Sequence, residues 1–200
     1  MFGADQKPGS DSGKTTRRAF IGSALAIFTG IYVWSMSKTQ TEQSKKPGAK
    51  PEDVKIVDFS DAGERLGEAV VPKVVKSESE WRQQLSANAF DIARHDDTEM
   101  AFTGQYWNEH AKGLYRCVCC GTALFSSETK FDSGTGWPSF YQPIAEENVE
   151  TIRDSTFGMV RTAVSCRRCD GHLGHVFEDG PRPTGLRYCM NSGSLKFIKS

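Results

Sequence analysis

The sequence predicts a mainly β domain of antiparallel sheets over residues 75–200, with a small N-terminal helical part and a pair of cysteine knuckles. Three observations carry this. Segments after residue 113 are short, alternate apolar with polar residues and are bounded by Gly, Pro or Asp-Gly. One stretch, starting at Ser77, repeats instead at helical spacing. Four of the six cysteines fall in two C-x-x-C pairs.

The chain opens with MFGADQKPGSDSGK, which is polar, Gly-rich and without periodicity. Arg17 and Arg18 then precede an uncharged run over 19–36, the positive flank and apolar heart of an export segment. Thr16-Arg17-Arg18-Ala19-Phe20-Ile21 resembles the twin-arginine signal, although Gly22 stands where a lysine is often found. The run reaches the roughly 17 to 25 residues that span a bilayer and exceeds the roughly 7 to 15 of an ordinary signal core. No A-x-A follows it, and Ser35-Met36-Ser37 is a weak substitute. Residues 1–37 are therefore either a cleaved signal or a retained anchor. Both outcomes send the C-terminal domain across the membrane, so the expected location is periplasmic, free or anchored. A buried core helix would leave the arginine pair unexplained.

Residues 38–74 read as a linker. KTQTEQSKKPGAKP is polar and punctuated by Pro and Gly, and the apolar clusters at 54–57 and 70–75 either pair as edge strands or merely tether. At Ser77 the texture changes: Glu80 completes a capping box, and Trp81, Leu85, Ala89 and Ile92 recur on one helical face until RHDDTE breaks the pattern. One amphipathic helix is expected. Beyond it, 113–118, 149–154, 157–165 and 194–198 read as strands, with little helix after Arg94.

Lys plus Arg and Asp plus Glu each number 25, so the chain lacks the positive field that a nucleic-acid backbone rewards. The cysteines at 117, 119, 120, 166, 169 and 189 all lie in the C-terminal half. Cys117 with Cys120, and Cys166 with Cys169, supply four thiolates, the set that closes a tetrahedral structural zinc site for one ion. Two redox-active pairs, or two local disulfides formed after export, are the alternatives. Cys119 is a buried small residue, a redox partner or, with Cys117, a ligand instead.

Cys189 remains. On a strand, Arg187, Cys189 and Asn191 would share a face, and a nearby cation lowers a thiol's pKa. His172 and His175 offer proton donors; as metal ligands they would over-fill a site of four thiolates. A catalytic thiol with imidazole and amide partners follows, against the plainer reading of an inert cysteine beside two solvated histidines. A zinc-ribbon binding module would have no need of this His/Cys/Asn set, and a zinc hydrolase needs an open coordination position.

The string CRRCDGHLGHVFEDGPRPTGLRYCMNSGSLKF, with FDSGTGWPSF and YRCVCCGTALF upstream, resembles the methionine-R-sulfoxide reductase (MsrB) family from about residue 75 to the C-terminus. The resemblance implies a β-sheet core, a structural zinc on Cys117, Cys120, Cys166 and Cys169, and Cys189 as the nucleophile on the sulfoxide sulfur. His175 and His172 would give and relay the proton the oxygen needs, and Asn191 would hold that oxygen or orient an imidazole. Trp137, fixed between Gly136 and Pro138, would be the wall for the substrate methyl, with Arg187 and Phe177 also binding substrate. Oxidised proteins are the implied substrates. In many family members a cysteine stands at the position of Thr135 and resolves the sulfenic acid; threonine cannot. Either an external reductant, thioredoxin-like or another thiol, attacks Cys189 directly, or Cys119 has become the internal partner.

Overall fold

The computed structural model describes residues 51–154 and 161–200. The export segment, the first part of the linker and positions 157–160 of an expected strand lie outside the described residues. Among the described residues, no helix is long and apolar enough to cross a membrane.

β1 (Asp53–Phe59) and β2 (Arg65–Pro72) form an antiparallel hairpin, Asp53 opposite Pro72 and Phe59 opposite Arg65. Of the two outcomes the sequence left open for the apolar clusters of this region, they pair as strands. The physical reason is burial: Val57 and Phe59 pack with Leu114 and Ala123, about 1.5–3 kcal/mol for each large side chain so buried. Asn148 completes the attachment. Its Oδ1 accepts the Val57 N–H, and its Nδ2 donates to the carbonyls of Val57 and Ala123, each at 2.8 Å.

The expected single helix is two, α1 (Glu78–Gln84) and α2 (Ala87–His95). The Ser77 capping box with Glu80 starts α1 as the sequence indicates. The break comes from Ser86, whose hydroxyl accepts the Ala89 N–H at 3.2 Å and starts α2 while Leu85 is extended. Periodicity runs through the break because Trp81, Leu85, Ala89, Phe90 and Ile92 are all buried. The helices also hold the two cysteine turns: Gln84 Nε2 donates to the Cys119 carbonyl at 2.6 Å, and Arg94 Nη1 to that of Cys169 at 2.8 Å.

The rest is antiparallel sheet. β3 (Gly113–Cys117), β4 (Ala123–Ser126) and β11 (Leu195–Lys199) form one sheet in the order β11-β3-β4. β5 (Lys130–Phe131), β6 (Ser139–Phe140), β7 (Val149–Asp154), β8 (Arg161–Cys166), β9 (His172–Phe177) and β10 (Arg187–Met190) form another, in the order β5-β6-β10-β9-β8-β7. After His95 the described residues contain only short 3-10 turns, at 127–129, 146–148 and 192–194. An aromatic cluster joins the sheets: Phe125 of β4 stacks on Phe140 of β6 at 4.5 Å, and Tyr115 of β3 meets Phe140 edge-on at 5.0 Å. On β10, Tyr188 and Met190 are buried in this core, which turns Arg187 and Cys189 to the opposite face.

Candidate active site

Cys117 and Cys120 end β3 and its turn; Cys166 and Cys169 flank the turn between β8 and β9. Their four Sγ atoms lie within 4.8 Å of one another. Between the pairs, Cys117 lies 3.6 Å from Cys169 and Cys120 lies 3.5 Å from Cys166, and all six cysteines are free, so neither pair forms a local disulfide here. A tetrahedral zinc with Zn–S near 2.3 Å needs sulfurs roughly 3.8 Å apart, so the array fits the ion. The thiols also crowd one another: neighbours Cys119, Cys120, Cys166 and Cys169, with burial, push Cys117 well up, while bonds from Cys117, Cys166 and Cys169 hold Cys120 down. A divalent cation is what lets four such thiols ionise together. Cys119 is buried beside this array.

The second site lies on β10, between β6 and β9. Cys189 stands opposite Ser139 on one side and His175 on the other, so hydroxyl, thiol and imidazole form a row across three strands. Gly174 makes the β9 approach close enough: a Cβ there would collide with the Cys189 carbonyl. The Thr135 hydroxyl lies 3.9 Å from Cys189 Sγ and 2.8 Å from Ser133 Oγ, which is 2.7 Å from Ser139 Oγ.

Arg187 lies on the same face, but its guanidinium is shared. It makes two 2.8 Å bonds to Asp179 and covers the Phe177 ring at 4.4 Å. The expectation that a neighbouring cation lowers the Cys189 pKa is only half met. Burial pushes the thiol up, and Thr135, Arg187 and Ser139 oppose it without cancelling it. Asp179, absent from the sequence reading, has its own carboxyl held down by Arg187. No sequence spacing marks that pair, because a loop brings it together.

The histidines meet although they are three apart on a strand, their rings 5.3 Å from centre to centre and edge-on. A register shift opposite the start of β9, between Val164 and Ser165, and a φ of +151° at Gly174 break the alternation that would put them on opposite faces. His172 is buried, with Nδ1 3.9 Å from Asp96; His175 is half-buried, its ring 6.4 Å from Phe177.

Asn191 follows the last residue of β10, Met190, with its backbone still extended and its N–H donating to the Leu173 carbonyl at 2.8 Å. It opens the 192–194 turn, and its amide is tied to backbone: Oδ1 accepts the Glu99 N–H at 3.2 Å, and Nδ2 donates to the Leu173 carbonyl at 3.4 Å. These two bonds brace the end of β10 against residue 99 and β9.

Trp137 is half-buried, between Gly136 at φ +87° and Pro138, and its indole N–H donates to the Glu99 carbonyl at 3.0 Å. Glu99 and Ser139 are the other residues the sequence reading passed over. Ser139 could have been found, standing two places after Trp137 in the same short motif. Glu99 sits in a polar connection without periodicity, where nothing marks it.

Known proteins sharpen what this arrangement is. The SelR domain model matches residues 85–199. A protein of a Synechococcus species called peptide methionine sulfoxide reductase MsrB is 57% identical over 124 residues, 62% of this chain and 91% of the relative. Proteins of the same description from Acinetobacter baylyi and Agrobacterium fabrum are 59% and 54% identical over 124 and 132 residues. Those alignments cover 62% and 66% of this chain, and 89% and 98% of the relatives. With the cysteine array, the antiparallel sheets and this breadth of identity, the chain belongs to the SelR-domain family of MsrB-type peptide methionine sulfoxide reductases.

Proposed function

We propose that the chain reduces methionine-R-sulfoxide in oxidised proteins, with Cys189 as nucleophile. The observation that carries this reading is the row Ser139–Cys189–His175, a thiol in register between a hydroxyl and an imidazole. Cys189 attacks the sulfoxide sulfur while His175, paired with His172, delivers a proton to the oxygen. The sulfoxide S–O bond breaks. Its oxygen ends on Cys189 as sulfenic acid, so the substrate is reduced to the thioether as the thiol is oxidised by the same two electrons. Trp137 supplies the apolar wall for the methyl, and Phe177 and Arg187 line the same face of the sheet.

An external thiol, thioredoxin-like or small, then recycles the sulfenic acid. Two features support that route. Thr135, the side chain at the Cys189 sulfur, has no thiol to give, and Cys119 is 4% exposed in the cysteine array. Zinc on Cys117, Cys120, Cys166 and Cys169 would supply a structural tie between the ends of β3 and β8, with no part in the chemistry. Replacing Cys189 by serine should abolish sulfoxide reduction and leave zinc content and Tm unchanged; activity in that variant would end this reading.

We also propose export through residues 17–36, with the domain on the periplasmic side, supported by the paired arginines and the uncharged run after them. Cell fractionation of an Arg17→Lys, Arg18→Lys double variant tests this: the variant should stay cytoplasmic, and unimpaired export would refute the twin-arginine route.

A further inference from the structure

Glu99 lies between the wall and the strand that carries the nucleophile, and it bonds to both. Its carbonyl accepts the Trp137 indole N–H at 3.0 Å, and its own N–H donates to Asn191 Oδ1 at 3.2 Å. Its carboxylate oxygens accept the N–H groups of Ser192 at 2.5 Å and Gly193 at 3.0 Å, the turn that follows β10. Two consecutive amides on one carboxylate make a charge-assisted bracket, roughly twice as strong as neutral bonds. A second link runs parallel: the Phe102 N–H donates to the Gly136 carbonyl at 2.8 Å, next to Trp137. The fold reserves the space. A Cβ on Gly104 would overlap both the Glu99 carboxylate and the Ser192 hydroxyl.

We propose that Glu99 is a positioning residue that sets the aromatic wall at a fixed distance from the end of the nucleophile's strand, and thereby sets how tightly the site selects a methyl on the sulfur. The proposal rests on the sulfoxide reductase reading. Neither Trp137 nor β10 fixes this spacing alone: Trp137 sits on a loop between a left-handed glycine and a proline, and β10 ends two residues before Ser192. The bracket joins them through a single backbone unit. A displacement of about 1 Å at a reacting centre can cost on the order of a hundredfold in rate, and one methylene in an apolar pocket is discriminated about 10- to 200-fold.

Glu99→Gln keeps the length but sets an NH2 against one of the two amides. Gly104→Ala displaces the carboxylate without removing it. In the full chain, methyl- over ethyl-sulfoxide selectivity in kcat/KM should fall about fivefold or more in both variants. The Trp137 indole N–H resonance, assigned with Trp137→Phe, should shift and broaden with it. Unchanged selectivity within about twofold, or an unmoved indole resonance in an active variant, overturns the proposal. If the wild type reduces neither sulfoxide while the indole resonance still moves, the reductase reading falls and the positioning role of Glu99 stands.

Discussion

The Oγ1 of Thr135 lies 3.9 Å from the Sγ of Cys189, the short approach at which a thiol in place of that hydroxyl could pair with the nucleophile. In the proposed mechanism, the threonine leaves an oxidised Cys189 to a reductant from outside. Thr135→Cys should therefore install an internal partner. After one turnover without reductant, the wild type should be trapped by dimedone at Cys189, whereas the variant should show no adduct and a new disulfide mapping to positions 135 and 189. Dimedone labelling of the variant equal to wild type would show that the loop holds the two groups apart.

Thiol reactivity should titrate late. Burial holds the Cys189 thiol above its ordinary value, with Thr135, Arg187 and Ser139 pulling it back. Alkylation by iodoacetamide, which needs the thiolate, should be slow at neutral pH and rise through a midpoint above that of a free cysteine. Arg187→Ala and Thr135→Val each remove a group that favours the thiolate, so each should move the midpoint further up. A downward move in either would show that the removed side chain acts on the thiol more by covering it than by stabilising its charge.

Zinc removal should cost the fold. Cys166→Ser leaves three thiolates in a buried array made for four, so zinc content should drop well below one per chain and Tm should fall by roughly 10 °C or more, as for loss of a structural metal worth several kcal/mol. Metal analysis and calorimetry test this together. Full zinc occupancy in the variant would mean that another group, Cys119 foremost, serves as a ligand.

The hairpin should depend on one amide. Asn148 is fully buried and makes three 2.8 Å bonds to Val57 and Ala123. Asn148→Leu strands those backbone groups, each lost partner costing about 1–3 kcal/mol, and should destabilise the domain by about 3 kcal/mol. Amide exchange should quicken across β1 and β2 more than across β9 and β10. Uniform change, or none, would show that packing of Val57 and Phe59 alone holds the hairpin.

Much of this molecule is legible in local patterns. The capping box at Ser77, the paired cysteine turns and the short alternating strands are features of a few adjacent residues, which physical chemistry constrains directly. So was the placing of Trp137 between two backbone-fixing residues. The helix break at Ser86 was harder, because the buried face carries on across it and a cap competes with periodicity residue by residue.

What local pattern could not supply was partnership. By itself the sequence determined the fold class, the four-thiol array as a candidate metal site and Cys189 as a cysteine outside that array. Only the tertiary structure decided that β1 and β2 pack on the sheet domain, that two histidines three apart share a side, that Asn191 and Glu99 brace the strand of Cys189, and that burial outweighs Arg187 at the thiol. The reason is common to all of these. Each depends on separation, register and desolvation that are set only when the strands pair and the sheets close on one another.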